Sequence, residues 1–198
     1  QTVAHALYPV EPHLKTKLLM ALLDRTETGS VLVFTRTKHR AKKLAFRLIQ
    51  SGISATSLQG NLSQPQREKA MNAFRSGHAR VMVATDIAAR GIDVSQVSHV
   101  INYDIPDTAD AYTHRTGRTG RMERLGTALS LVTLEDLPMI RTIERLMGQT
   151  LERRMLSQSG EGTEGITTDV LVSQPAQPAQ GLRSGPMGRR NNFRFRPY

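Results

Sequence analysis

The segment at 114–121 reads HRTGRTGR and sets Arg115, Arg118 and Arg121 three residues apart. A guanidinium is planar, permanently charged and carries its donors in a fixed fork, which suits bidentate contact with phosphate. Held against a phosphoryl group in transfer, it stabilises the charge that develops on the γ-phosphoryl oxygens. Gly117 and Gly120 lie between the arginines, where they permit tight turns and close backbone approach that a merely electrostatic patch does not need. The expectation is three guanidinium groups aimed along one face, just after a short helical stretch around 109–113. The plainer alternative is a basic loop paired to surface acids.

Two further clusters are of the same kind. ATDIAARGID at 84–93 follows the apolar run RVMVA at 80–84, so its polar residues would stand at the carboxyl end of a strand, where open parallel sheets bind their ligands. There Thr85 offers a hydroxyl and a backbone amide to phosphate, Gly91 allows a backbone to come close, and Asp93 can accept hydrogen bonds from ribose hydroxyls. Asp86 and Arg90 have a structural reading, paired with one another or with the arginine triad, and for Arg90 that reading is preferred. TRTK at 35–38 likewise follows an apolar run and opens a helix, and helix N-termini attract phosphate.

The elements that must position these residues follow from the pattern. Short β-rich or apolar runs at 31–34, 55–58, 80–84, 97–102 and 126–132 alternate with segments of helical spacing, which predicts a parallel sheet. Ala41, Leu44, Ala45 and Leu48 share one helix face, with Gly52 where a left-handed cap is needed. Ser63 and Gln66 read as a capping box opening a helix that turns Ala70, Met71 and Phe74 inward, with Gly77 as its stop. Helices near 14–25 and 135–147 would cover the remaining sheet surface. The sum is a three-layer α/β domain with a central parallel sheet.

The 198 residues suffice for one core and additional chain, and 27 Lys and Arg against 17 Asp and Glu favour an anionic partner. No cysteine is present, which excludes a disulfide scaffold and thiolate zinc sites and fits a reducing compartment, so a cytoplasmic protein is expected. No apolar run is long enough to cross a bilayer, no signal-peptide layout opens the chain, and a first residue other than Met suggests a piece of a longer protein. From Ser157 the composition turns to Ser, Gly, Gln and Pro, and the chain ends in GRRNNFRFRPY. Residues 1–156 are therefore expected to fold, and 157–198 to form a disordered basic tail whose arginines and aromatic rings could stack on single-stranded nucleic acid.

Four motifs in order carry a resemblance. VLVFTRTK (31–38), LQGNLSQPQR (58–67), ATDIAARGID (84–93) and YTHRTGRTGR (112–121) resemble motifs IV, IVa, V and VI of the C-terminal RecA-like (P-loop NTPase-like) domain of DEAD-box RNA helicases, in superfamily 2. The resemblance covers about residues 1–150. It implies that Arg118 and Arg121 are arginine fingers reaching ATP bound on another domain and that Asp93 contacts the nucleotide ribose. It also implies that His114 and Arg115 couple the nucleotide site to the domain interface, and that Arg36, Gly60, Arg67, Thr85 and Gly91 lie along an RNA backbone. Contacts of that kind read little base sequence. Gln59 and Asn61 stand where His and Asp are commoner in the family, and Thr116 where an aliphatic residue is usual.

The chain carries neither a GxxxxGK[ST] loop nor a DEAD tetrad, so ATP with Mg2+ would be bound mainly by an N-terminal RecA-like domain of the same protein, and no metal site is expected here. Alone, the chain is expected to be inactive. In the parent protein, ATP and single-stranded RNA would close two such domains together, bending one strand so that a short duplex opens. A non-catalytic RNA-binding or scaffold module of the same fold is the alternative, and a DNA-acting helicase half a third; the nucleotide-facing Arg118, Arg121 and Asp93 argue against the first and His114 against the second.

Overall fold

The computed structural model describes residues 3–26, 29–90, 97–119 and 126–156. Seven strands form one sheet, β1 (Val3–Pro9), β2 (Ser30–Phe34), β3 (Ala55–Leu58), β4 (Val81–Ala84), β5 (Val97–Asn102), β6 (Gly126–Val132) and β7 (Glu152–Arg153), in the order β3-β4-β2-β5-β6-β1-β7. Every pairing is parallel. The α-helices among the described residues are α1 (Lys15–Arg25), α2 (Lys38–Gln50), α3 (Gln64–Arg75), α4 (Asp86–Ala89), α5 (Ala109–Thr116) and α6 (Leu137–Met147).

Side chains alternate across each strand, and this alternation sorts the core into layers. Ala6, Val31, Val33, Val81, Val83, Ile101, Leu129 and Leu131 face α1 and α2, meeting Leu18, Leu22, Leu44 and Leu48. Their strand neighbours Leu32, Phe34, Met82, Ala84 and Val100 face the other way, onto Met71 and Phe74 of α3 and the alanines of α4. Farther along that second face Leu7 and Val132 pack on Tyr112 of α5 and on Ile140 and Ile143 of α6.

The five expected strands are present, and so are the caps that terminate and start the crossover helices. Gly52 and Gly77 adopt φ of 81° and 79° after α2 and α3, a left-handed conformation that side chains with a Cβ rarely take. Ser63 and Gln66 form the reciprocal capping box of α3. The structure adds β1 and β7 on the far edge. β1 was not among the expected strands, and β7 is a two-residue strand beside Ala6 and Leu7, too short to leave a period.

One correction bears on the site. α5 runs to Thr116, so His114 and Arg115 belong to its last turn instead of following the helix.

Candidate functional site

Because all seven strands run parallel, the residues after β2, β3, β4, β5 and β6 emerge together at one edge of the sheet. These are Thr35 and Arg36, Gln59 and Gly60, Thr85 and Asp86, Tyr103 and Asp104, and Thr133. That edge carries Arg36, Gly60 and Thr85, and Arg67 reaches it from α3 through the Ala88 carbonyl. Gly91, Asp93, Gly120 and Arg121 lie outside the described residues, as does the 157–198 tail.

At its centre is Arg115. Its side chain is 2% exposed and all its polar reach is spent inside the domain. Nε and Nη2 donate to Asp86 Oδ1 and Oδ2 at 2.6 and 2.7 Å, while Nη1 donates to Asn102 Oδ1 at 3.0 Å and to the Asp104 carbonyl at 2.7 Å. The guanidinium also lies over the Phe34 ring, 4.9 Å from its centroid, a position in which the ring's negative face attracts a cation. Asn102 passes the network on by donating to Ser130 Oγ at 3.1 Å. Arg115 is therefore not on an exposed binding face; Arg121 lies outside the described residues. Arg115 points inward and ties α5 to the ends of β4 and β5, because a buried charge must be paired and hydrogen-bonded to be tolerated. Asp86 takes the expected partner from the triad. Arg90, for which a pairing was preferred, is exposed and forms no ion pair with any described residue.

α5 is anchored from its other side by Tyr112. The phenol is fully buried, and burial pushes it up to about 12 against the effect of a hydrogen bond with Ser130. His5 Nδ1 lies 3.0 Å from its oxygen, and burial holds that imidazole below its ordinary value. With both Tyr112 and Arg115 fixed, the residues leaving the helix have a set exit. The amide of Arg118 donates to the Arg115 carbonyl at 3.1 Å and the Thr119 hydroxyl donates to the Val97 carbonyl at 2.7 Å. Arg118 is partly exposed and His114 exposed. Gly117 has an ordinary φ of −66°, but a Cβ there would stand 3.2 Å from the Thr113 carbonyl oxygen, so its service is to the end of the helix.

A second charged network was missed by sequence reasoning. The Asp104 carboxylate, 4% exposed, accepts from the Arg36 amide at 2.9 Å and from Arg40 Nη1 at 2.6 Å, with Lys15 Nζ 3.6 Å away. Burial alone would raise its pKa, but these donors together with the Lys15 charge hold it below the ordinary carboxylate range. Lys15 moves oppositely in stability terms. Burial pulls its ammonium below the usual lysine value although Asp104 and Asp136 favour the charge. Thus Asp104 gains more from its partners than it loses to desolvation, and Lys15 does not. The signal that could have found Asp104 was the rule applied to Thr85, an acid just past the carboxyl end of an apolar strand.

The expected backbone-binding residues line this same edge. Arg36 extends outward, half exposed, its Nε 3.3 Å from Asp107 and its Nη2 donating to the Ile105 carbonyl. Arg67 Nη2 donates to the Ala88 carbonyl at 2.9 Å, bridging α3 to α4. Thr85 is half-buried, and its backbone amide, expected to be available to phosphate, lies 3.4 Å from the Leu58 carbonyl that it donates to. Gly60 is exposed with no atom within 4 Å of where a Cβ would stand. The unusual residues flanking it build the turn: buried Gln59 accepts from the Asn61 amide at 2.7 Å, and Asn61 Oδ1 accepts from Lys38 Nζ at 3.0 Å.

A parallel sheet covered on both faces by helices, with arginines and helix starts gathered at its carboxyl edge, defines a RecA-like domain. The model of the helicase conserved C-terminal domain family matches residues 14–123. The chain belongs to that family, as the C-terminal domain of a DEAD-box helicase. It is 44% identical over 131 residues to the ATP-dependent RNA helicase FAL1 of Saccharomyces cerevisiae, covering 66% of this chain and 33% of that protein. It is 39% identical over 171 residues to the DEAD-box ATP-dependent RNA helicase CshA of Geobacillus kaustophilus, covering 84% of this chain and 37% of that one. Among solved structures, the E. coli DEAD-box protein SrmB bound to RraA superposes with a TM-score of 0.73 at 38% identity, covering 78% of this chain and 91% of that one. The chain thus spans about a third of the length of the curated relatives it matches. Among the described residues no helix is long and apolar enough to cross a membrane.

Proposed function

We propose that this chain is the second half of an ATP-dependent RNA helicase of the cytoplasm, folded through residue 156 and followed by a basic tail. It supplies Arg118 and Arg121 to ATP bound on an N-terminal RecA-like domain of the same protein. Arg36, Gly60, Arg67, Thr85 and Gly91 form part of a track for the RNA backbone, and Asp93 serves the ribose. The observation that carries the reading is the Arg115 clamp. A guanidinium buried against Asp86, Asn102 and the Asp104 carbonyl fixes the end of α5, and with it the exit of Arg118, relative to the edge where Arg36 and Thr85 stand. A finger works by being held in place before the charge develops, and a clamp of this kind is what such a finger needs.

The residues fit a nucleotide as cations fit its phosphates. Bound ATP supplies the phosphoryl group and the free energy of its hydrolysis. The chain's own contribution is to neutralise charge with Arg118 and Arg121 once the two domains have closed, and to relay that closure through His114 and Arg115 on α5. Mg2+ would be held with the ATP mainly by the N-terminal domain, since the GxxxxGK[ST] loop and DEAD tetrad that bind it are not part of this sequence. The RNA contacts go to phosphate and sugar, so binding is general in sequence and weakens with salt.

The test mixes this chain with its own N-terminal domain and measures RNA-stimulated ATP hydrolysis, each domain alone serving as control. Hydrolysis should appear only in the mixture, and Arg118→Ala and Arg121→Ala should each reduce it by about 10³-fold or more while RNA binding survives. Absence of hydrolysis at concentrations that force closure, with RNA binding lost on deletion of residues 183–198, would turn the reading to an RNA-binding module.

A further inference from the structure

We propose that the outward face of α2 is a second RNA-contacting surface, continuing the strand path beyond the sheet edge. The inference rests on the RNA-binding reading above.

α2 buries Ala41, Leu44, Ala45 and Leu48. At 100° per residue the opposite stripe consists of His39, Lys43, Phe46 and Gln50, flanked by Lys42 and Ile49 on one side and Arg47 on the other. All seven are exposed. Phe46 is 59% and Ile49 53% exposed, and Phe46 sits at the centre, one turn from Lys42 and Lys43 on one side and from Ile49 and Gln50 on the other. The helix carries five Lys and Arg and no acid. Among the described residues the side chains of Lys42, Lys43 and Arg47 form no ion pair, whereas Lys15, Arg36, Arg40 and Arg115 at the sheet edge are paired with Asp86, Asp104 or Asp107.

Three features make RNA the occupant. Unopposed cations around a solvent-facing aromatic ring are the combination that holds a nucleic-acid strand, phosphates on the charges and a base on the ring. The face also begins where the proposed track lies, since Thr37 caps α2 directly after Arg36, and Lys38 reaches Asn61 beside Gly60. Finally, it extends the available contact by the length of the helix, about 20 Å. A strand leaving the sheet edge therefore meets Lys42, Lys43, Phe46 and Arg47 in succession.

The experiment is fluorescence anisotropy of labelled single-stranded RNA with the 198-residue chain, across a salt series, using a short oligonucleotide that fills the sheet edge and one several times longer. Replacing Lys42, Lys43 and Arg47 together by Ala should leave the short RNA unchanged. For the long RNA it should lower affinity and reduce the slope of log K against log salt by about 2, the release expected from three phosphate contacts to a single strand. Phe46→Ala should weaken the long RNA at least about fivefold, the low end of one lost stacking contact. In the unaltered chain, photocrosslinking with 4-thiouridine in the long RNA should mark the peptide containing Phe46. Unchanged affinity and slope in the triple variant, or no crosslink on α2, overturns the proposal. So does the same variant binding RNA normally but losing a polyglutamate probe, which would assign the face to an acidic protein segment. If neither RNA binds the unaltered chain, it is the underlying RNA reading that fails, and Arg36→Ala with Arg67→Ala, which should weaken both lengths, separates the track from the α2 face.

Discussion

The positive charge of this domain is spent in two opposite ways. At the carboxyl edge of the sheet, Arg115, Arg40 and Lys15 are locked to named acceptors and withdrawn wholly or partly from water. On α2, Lys42, Lys43 and Arg47 project into solvent without an acid beside them. Buried, paired cations cannot be given to a ligand without leaving an orphaned carboxylate, so their work is to hold geometry. Exposed unpaired ones hold nothing in the fold and remain free for an anion from outside. The difference teaches that arginines in a motif are not equivalent, and that the motif's spacing conceals which are scaffold and which are tools.

The most severe way to break that contrast is at Arg115. Arg115→Ala should destabilise the domain by about 3 kcal/mol, toward the lower end for removal of one partner from a buried pair because Asp86 keeps some contact with water. Urea unfolding followed by circular dichroism measures it. Arg115→Lys should recover only part of the loss, since an ammonium cannot bridge both Asp86 oxygens while reaching Asn102. A cost below about 1 kcal/mol for the alanine variant would mean the clamp does not hold α5.

Asp104 gives the next largest effect and a sharper signature. Its carboxyl titrates lower in the fold than in the unfolded chain. Its contribution is therefore present above the ordinary aspartate value of about 3.9 and is lost as pH falls through the depressed folded value. Asp104→Asn should cost about 2 kcal/mol at pH 7 through its mismatched hydrogen bonds to Arg40 and the Arg36 amide. It should also flatten the loss of stability below about pH 4. Glu144, also held low by Arg153 and the Leu151 amide against its burial, contributes to the same acid limb in both proteins and cancels in the comparison. An acid limb of equal steepness in the two proteins would remove Asp104 from the account.

How much of this was legible before the fold was known follows the reach of each signal. The strands, the helix faces and the caps at Gly52, Gly77 and Ser63 rest on periods and φ requirements that act within a few residues, and these were readable. So was the placing of Arg36 and Thr85 just past strand ends, because parallel strands emerge together, whereas Arg67, inside α3, came only from the family resemblance. The inward turn of Arg115 was not readable. It depends on Asp86, Asn102 and Asp104 arriving from the ends of two other strands, and nothing in HRTGRTGR distinguishes a guanidinium that meets acids in the fold from one that meets solvent. β7 escaped for a related reason, since only its register beside Ala6 and Leu7 makes it a strand.

The smallest predicted effect concerns α2 and carries the opposite sign. Lys38 and Lys42, and likewise Lys43 and Arg47, stand one turn apart on a helix whose first turn has no acid to complement its dipole. Each arrangement costs a few tenths of a kcal/mol at low ionic strength. Lys43→Glu converts one repulsive pair into a favourable Glu-to-Arg47 pair and should raise stability by about 0.5 kcal/mol, a gain that fades as salt is added. Thermal unfolding at two ionic strengths measures both. The same substitution should weaken binding of the long RNA. A variant that gains stability while losing a ligand identifies a face whose charge serves binding at the helix's own expense, the inverse of Arg115, whose loss should cost the fold first. Should Lys43→Glu destabilise instead, the basic face of α2 would have to be meeting an anionic group within the chain itself, and the division between held and free charge would no longer stand.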